Sequence, residues 1–303
     1  MTRLLDASET ATRLPPVALA DAVAQLLLDA SVHVPARLVQ PLPGGGSLFV
    51  MPALDGRIAI TKLITFTPAN IGTGRPTIQG DVVVFDVATG QRVLVLDGPA
   101  VTARRTAAVS LLAAQRLAQR PGGPLLIVGA GVQGRAHLEA FAAGLPLRDV
   151  RIVSRSEASA QSLADHARVL GLQATVVADA DAAAADCALV VTCTPASQVV
   201  LRGPLRDDAF VAAVGAFTPT MVELAPALCR HFAERGTIVL DTPDARHEAG
   251  DLLQAGVDLA SLATLSEVVN GATATRGPVL FKSCGWAGWD LAAARCALEQ
   301  QRP

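Results

Sequence analysis

A chain of 303 residues with 51% hydrophobic and only 17% charged side chains is neither disordered nor fibrous, and its length favours two domains over one. The formal net charge is −2, no basic run exceeds a pair such as Arg104-Arg105, aromatics are 3% and tyrosine is absent. These features exclude a polycationic groove or a stacking platform, so no nucleic-acid partner is expected.

No apolar run approaches the roughly 18 residues that a membrane span needs. Met1 to Pro15 carries no apolar signal region, and the five cysteines (Cys187, Cys193, Cys229, Cys284, Cys296) are scattered without C-x-x-C spacing. The expectation is a cytoplasmic protein with buried, reduced thiols and no membrane contact.

In chain order, Asp6-Ala-Ser-Glu9 has the spacing of a capping box. Pro16 to Ala30 carries Val17, Ala20, Val23, Leu26 and Leu27 at helical spacing, which predicts an amphipathic helix. Val34 to Gly46, with Pro35, Pro41, Pro43 and three consecutive glycines, reads as loop. Four strands are expected next, at Ser47–Met51, Arg57–Thr65, Gly80–Phe85 and Gln91–Leu96, the last two flanking a turn at Ala88-Thr89-Gly90. Thr102 to Gln119 predicts a long helix that stops before Pro121-Gly122-Gly123-Pro124, the expected hinge.

Beyond the hinge the rhythm changes. Leu125–Val128, Val150–Ser154, Ala174–Val177, Ala188–Thr192, Phe210–Val214 and Ile238–Asp241 read as short apolar strands, with helices at Val132–Ala143 and Glu157–Leu170. Such alternation implies right-handed crossovers and an α/β chain with a Rossmann-type doubly wound parallel sheet. Val279–Ser283 and Trp286–Leu298 read as a strand and a helix that return to the first domain. The expected division is therefore 1–120 completed by 280–303, a discontinuous α+β domain, and 121–279, the doubly wound domain.

Leu125-Leu-Ile-Val-Gly129-Ala130-Gly131-Val132-Gln133-Gly134 is a G-x-G-x-x-G motif that follows a strand and opens a helix. Gly129 permits the tight turn, Gly131 lets backbone approach a pyrophosphate, and Gly134 lets helix pack closely on strand. The helix N-terminus supplies N–H groups for the diphosphate. An NAD site needs a carboxylate at the end of the second strand. Here that stretch is Ser154-Arg155-Ser156, with no acid and a guanidinium suited to a 2′-phosphate, so NADP(H) is the expected cofactor. Glu157 comes one step late and is expected to support the next helix start. The plainer alternative is that Arg155 is a solvated loop residue.

Arg37, Met51-Pro52, Thr61-Lys62-Leu63, Asp97-Gly98, Thr102-Ala-Arg-Arg105-Thr106-Ala-Ala, the glycine motif, Val214-Gly215-Ala216, Gly250-Asp251-Leu252 and Phe281-Lys282-Ser283 together resemble the ornithine cyclodeaminase/μ-crystallin family over nearly the whole chain. The resemblance implies a homodimer, an NADP-binding domain at 121–279 and a substrate-binding and dimerisation domain from the rest. It implies that Arg37, Lys62 and Arg105 face the nicotinamide. It also places Thr77, Gln79, Thr192 and Thr194 near that half of the cofactor, and Gly215 among the cofactor-binding residues. A planar guanidinium clamp suits the carboxylate of an amino or imino acid, and Lys62 can add a contact or donate a proton.

Departures from the cyclodeaminase subgroup narrow the chemistry. Where that subgroup carries an aspartate after the Val-Gly turn, this chain has Phe217, and Leu48-Phe-Val-Met51 lacks the acid that precedes Met-Pro there. Without a base, oxidising an amine is difficult, whereas reducing a preformed C=N needs only a hydride and a protonated nitrogen. The pattern resembles the branch of ketimine reductases and Δ1-pyrroline-2-carboxylate reductases. The expected reaction is NADPH-dependent reduction of Δ1-pyrroline-2-carboxylate or its piperideine homologue to L-proline or L-pipecolate, with Phe217 walling the ring and Lys62 or water supplying the proton. Alternatives are a cyclodeaminase, an amino acid dehydrogenase, an opine-type condensation or a non-catalytic NADP-loaded binding protein.

Other residues are read conservatively. His137 is expected to pack or cap, and His33 to lie on a surface loop. His231 and His247 have no metal-ligand spacing, so no metal is expected. Asp290 stands at a family position, but a solvated helix face accounts for it equally well. Lys282 and Ser283 are placed at the cleft by resemblance alone, and Trp286 and Trp289 are read as packing anchors.

Overall fold

The computed structural model describes residues 2–195, 197–271 and 275–300; Met1 and 301–303, the outer ends of the expected first domain, lie outside them. The chain divides into two compact units, Met1–Arg105 with Trp286–Pro303, and Thr106–Gly285.

In chain order the first unit carries β1 (Arg3–Leu4), α1 (Ala7–Thr12), α2 (Pro16–Leu27), β2 (Leu38–Leu42), β3 (Gly46–Leu54), β4 (Ile58–Phe66), β5 (Ile78–Asp86) and β6 (Arg92–Asp97), and ends within α3 (Gly98–Leu117). The second carries β7 (Leu125–Val128), α4 (Val132–Gly144), β8 (Asp149–Val153), α5 (Glu157–Val169), β9 (Gln173–Val176), α6 (Ala180–Ala184), β10 (Leu189–Thr192), β11 (Ser197–Leu201) and β12 (Phe210–Ala213). It continues with β13 (Val222–Leu224), α7 (Pro226–Arg235), β14 (Thr237–Leu240), α8 (Gly250–Gln254), β15 (Ala263–Thr264), α9 (Leu265–Val269) and β16 (Val279–Lys282). The last helix, α10 (Ala287–Glu299), belongs again to the first unit.

In the first unit, a six-stranded sheet runs in the order β1-β6-β5-β4-β3-β2, antiparallel except for the β1–β6 pair. Alternation sets its buried face: Met51 and Ala53 of β3, Ile58, Ile60 and Ile64 of β4, and Val82 and Val84 of β5 all point inward. Helix α10 packs on β3, β4 and β5, and α2 packs on α10 with Leu19, Val23 and Leu26 buried at helical spacing. The predicted capping box closes α1: the Glu9 N–H donates to Asp6 Oδ1 at 2.8 Å, and the Asp6 N–H to Glu9 Oε2 at 3.0 Å.

One expectation fails here. The stretch Val34 to Gly46 is not all loop, because Leu38–Leu42 forms β2, paired from Leu38↔Val50 to Leu42↔Gly46. As the edge strand, β2 tolerates Pro41, whose missing donor weakens an outer ladder far less than a central one. The consecutive Gly44 and Gly45, both with φ near +90°, make the turn into β3.

The second unit holds a parallel sheet of order β15-β14-β16-β12-β10-β7-β8-β9 and a separate β11–β13 pair. The residues of β7, β10 and β12 are all buried, as expected of short apolar strands covered on both faces. Strand order reverses between β7 and β10, and in open α/β sheets ligands bind off the carboxyl ends of the strands at that point.

The strand at Val279–Ser283 also departs from expectation. It does not return to the first unit but lies between β12 and β14, in register Phe210↔Val279 and Thr237↔Val279. An apolar four-residue strand buried on both faces satisfies its backbone best inside a parallel sheet, and the return begins only at Trp286. Among the described residues no helix is long and apolar enough to cross a membrane.

Candidate active site

In the second unit, the glycine motif follows β7 at the switch point. Gly129 has φ +116°, and its N–H donates to Val153 O at 2.8 Å. A Cβ on Gly134 would lie 2.0 Å from Gly129 O, so only glycine lets α4 pack this close to the turn. Gly131 caps α4 without a side-chain acceptor, and a Cβ built there would meet nothing within 4 Å. Val132 beside it is 72% exposed. The start of α4 thus offers N–H groups toward open space, a fit for a diphosphate.

At the end of β8, Ser156 caps α5 by accepting from the Ser159 N–H at 3.2 Å, and Ser154 Oγ accepts from the Ser156 N–H at 3.4 Å. Arg155 between them is exposed, and Glu157 opens the helix as expected. The strand tip therefore presents a guanidinium, two hydroxyls and no carboxylate. These groups fit a dinucleotide bearing a 2′-phosphate.

Beyond β10 and β12 lies a carboxylate that sequence reasoning missed. Glu223 is wholly buried and accepts from the Thr194 N–H at 2.6 Å, the Thr194 hydroxyl at 2.8 Å, the Gly215 N–H at 2.7 Å and the Thr192 hydroxyl at 3.0 Å. Thr192 is itself fully buried. Lys282, placed at the cleft by resemblance, is fully buried, with Nζ 2.7 Å from Asp251 Oδ2. The nearby Asp251 carboxylate raises the Lys282 pKa against the opposing effect of burial. Ser283 donates to Asp241 at 2.8 Å. Phe217 is half-buried and packs against the core of this unit.

In the first unit, register places Lys62 opposite Met51 and Val82, on the buried face of the sheet. It is 1% exposed, and Nζ lies 3.0 and 2.9 Å from the two carboxylate oxygens of Asp290 on α10. Arg105, also buried, brings Nε to 3.5 Å from Asp290 Oδ1. Asp290 is thus not on a solvated helix face: it is fully buried and serves as counter-ion. A lone acid among Ala287 to Ala294, and a lone lysine in the Ile58-Ile60-Ile64 alternation, are the signals that could have paired them.

Burial pushes the Lys62 pKa down to about 8; Asp290 opposes this, while the charges of Arg105 and Arg37 add to it. Lys62 and Arg105 against one carboxylate, with the Arg37 charge also acting on Lys62, leave an excess of positive charge, able to bind an anion and to give up a proton near neutral pH.

Thr77 and Gln79 belong to this first unit, Thr77 just before β5 with its carbonyl accepting from the Thr67 N–H at 2.8 Å, and Gln79 exposed within the strand. Trp286 and Trp289 pack edge to face at 5.0 Å, with Trp289 fully buried, as packing anchors should. His33 is exposed. In the second unit His137 is buried between the Ser110 hydroxyl at 3.0 Å and Gln133 O at 2.8 Å. Among the described residues no group of His, Cys, Asp and Glu side chains is arranged to hold a metal ion.

Residues 7–302 match the Ornithine cyclodeaminase/mu-crystallin family. The chain is 40% identical to Delta(1)-pyrroline-2-carboxylate reductase 1 of Burkholderia multivorans, over 98% of this chain and 95% of that protein. It is also 40% identical to the Delta(1)-pyrroline-2-carboxylate/Delta(1)-piperideine-2-carboxylate reductase of Azospirillum brasilense, over 97% and 94%. The fold is similar to that of the Thermococcus litoralis Delta(1)-pyrroline-2-carboxylate reductase, solved with NADH and L-proline, at a TM-score of 0.89, 24% identity and coverage of 98% and 96%.

Proposed function

The chain belongs to the ornithine cyclodeaminase/mu-crystallin family, and from that premise we propose that it is an oxidoreductase acting on C=N. Its reaction is the NADPH-dependent reduction of Δ1-pyrroline-2-carboxylate or Δ1-piperideine-2-carboxylate to L-proline or L-pipecolate. The observation that carries this reading is the state of Asp290. Both of its oxygens lie against Lys62 Nζ, and Arg105 stands beside it. A carboxylate surrounded by cations is a poor proton acceptor. With Phe217 where cyclodeaminases carry an acid, that position offers no base for amine oxidation, whereas imine reduction needs none there.

When bound, NADPH supplies the hydride. The N–H groups of Gly131, Val132 and Gln133 and the backbone of Gly129, Ala130 and Gly134 would hold it, with Ser154, Arg155 and Ser156 at the 2′-phosphate. Arg37 and Arg105 hold the substrate carboxylate through charge-assisted hydrogen bonds. Lys62, with a pKa of about 8, is largely protonated at neutral pH and keeps the imine nitrogen protonated. Asp290 fixes the Lys62 ammonium, and Phe217 walls the apolar ring.

Thr106–Gly285, rather than the expected 121–279, is then the NADP-binding domain, since most of α3 goes with the second unit, and Met1–Arg105 with Trp286–Pro303 is the substrate-binding and dimerisation domain. A homodimer is supported by the sheet face opposite Lys62. There Leu38, Val50 and Leu63 are register partners, and Leu38 and Leu63 are 58% and 46% exposed. The five free thiols are in keeping with a cytoplasmic setting.

A steady-state screen of the purified chain tests the reaction. NADPH oxidation with either cyclic imine, yielding L-proline or L-pipecolate, is expected. Ammonia release from ornithine, with no turnover of either imine, would overturn the proposal.

A further inference from the structure

Three fully buried charged groups in the second unit have no part in the reaction just described: Glu223 in β13, Asp251 in α8 and Lys282 at the end of β16. They form one chain of contacts. Lys282 Nζ pairs with Asp251 Oδ2 at 2.7 Å, and Asp251 Oδ1 accepts from the N–H groups of Glu223 at 2.5 Å and Leu224 at 2.8 Å. This anchors the backbone that carries Glu223. The Glu223 side chain then spans two loops. Oε1 takes the N–H and hydroxyl of Thr194, after β10, and Oε2 takes the N–H of Gly215, after β12, with the hydroxyl of Thr192.

The chemistry of this arrangement is specific. A carboxylate offers about four acceptor sites, and four donors fill them. An amide in its place would turn N–H groups toward donors. Burying three charges costs stability that a well-packed apolar core would not, so the network is better explained by position than by strength. What it positions is the pair of loops at the carboxyl ends of two adjacent strands, beside the switch point of the sheet.

We propose that Glu223 is the positioning residue for the loops that meet the nicotinamide half of the cofactor, acting through Thr194 and Gly215. In the same assignment Thr192, whose hydroxyl is buried against Glu223, acts only through it. This rests on the reading that the second unit holds the dinucleotide.

The test measures NADPH and NADH dissociation constants of the full chain by fluorescence, with melting temperatures alongside, for the wild type, Glu223→Gln, Thr192→Val and the double variant. Expected are NADPH binding by the wild type, a loss of about thirtyfold in Glu223→Gln and at least about threefold in Thr192→Val. The double variant should bind no more weakly than Glu223→Gln alone, because removing one hydroxyl donor relieves its clash with the amide. Thr192→Val should melt within a few degrees of the wild type. If Glu223→Gln does not fold, Thr192→Val decides the matter: weakened binding at an unchanged melting temperature supports the assignment, and unchanged binding overturns it. Losses that add in the double variant and follow the melting temperatures would also overturn it. A wild type that bound neither dinucleotide would remove the reading of the second unit and this assignment together.

Discussion

The Lys62 ammonium and the Asp290 carboxylate, 228 residues apart in sequence, meet in a buried layer between a sheet and a helix, with Nζ 3.0 Å from Oδ1 and 2.9 Å from Oδ2. Neither group could be buried there alone, since an unpaired buried charge costs several kcal/mol. Each therefore explains the other's place in an otherwise apolar surface. Burial first, and then the two nearby arginine charges, work against the Lys62 proton, which makes it labile enough to donate.

Replacing Asp290 removes the influence that holds the Lys62 proton on. In Asp290→Asn the alkaline limb of the kcat profile should move down by at least about one pH unit, with kcat at neutral pH lowered by about 10²-fold. Stability should fall by about 3–5 kcal/mol, as for a broken buried ion pair. Stopped-flow rates across pH, with urea melts of the same samples, check this. An unmoved limb would return the proton to solvent water.

Cofactor choice rests on Arg155. Arg155→Ala should raise KM for NADPH by about tenfold or more and leave KM for NADH within about twofold, because only the former carries the 2′-phosphate. Parallel initial-rate measurements with both cofactors decide it; equal effects on the two would mean that Arg155 does not read the phosphate.

His137 supplies a pH signature of folding. Burial depresses its pKa from 6.5 to about 4, with the Gln133 carbonyl opposing. Between those values the unfolded chain binds a proton that the folded chain refuses. The contribution is fully present above pH 6.5 and is lost as pH falls toward 4, by about 3 kcal/mol. Urea melts at pH 7 and pH 4.5 should show a steeper loss in the wild type than in His137→Phe. Equal losses would show that the ring takes up its proton without penalty.

What the sequence discloses and what it hides follow from how local each feature is. The glycine motif is legible because Gly129, Gly131 and Gly134 stand at fixed offsets between an apolar strand and the helix it leads into. The buried strands of the second unit are legible because apolar runs need no partner to be recognised. Leu38–Leu42 is hidden, since proline and glycine announce a loop and only the neighbour β3 makes it an edge strand. Asp290 is ambiguous because α10 is buried on nearly every side, so no polar face marks where an acid should point. Glu223, Asp251 and Lys282 are hidden for the same reason: Asp251 takes the Glu223 N–H from 28 residues away and pairs with Lys282 across a further strand, and spacing cannot reveal a pairing that only packing creates.

The most direct test of the account is the pH dependence of kcat for reduction of Δ1-pyrroline-2-carboxylate by the wild-type chain under saturating NADPH. If Lys62 holds the proton that the nitrogen needs, kcat is flat below pH 8 and falls about tenfold per unit above it. A kcat that instead climbed through pH 8 would mean that the deprotonated amine is the working form, and that the pocket serves as a base.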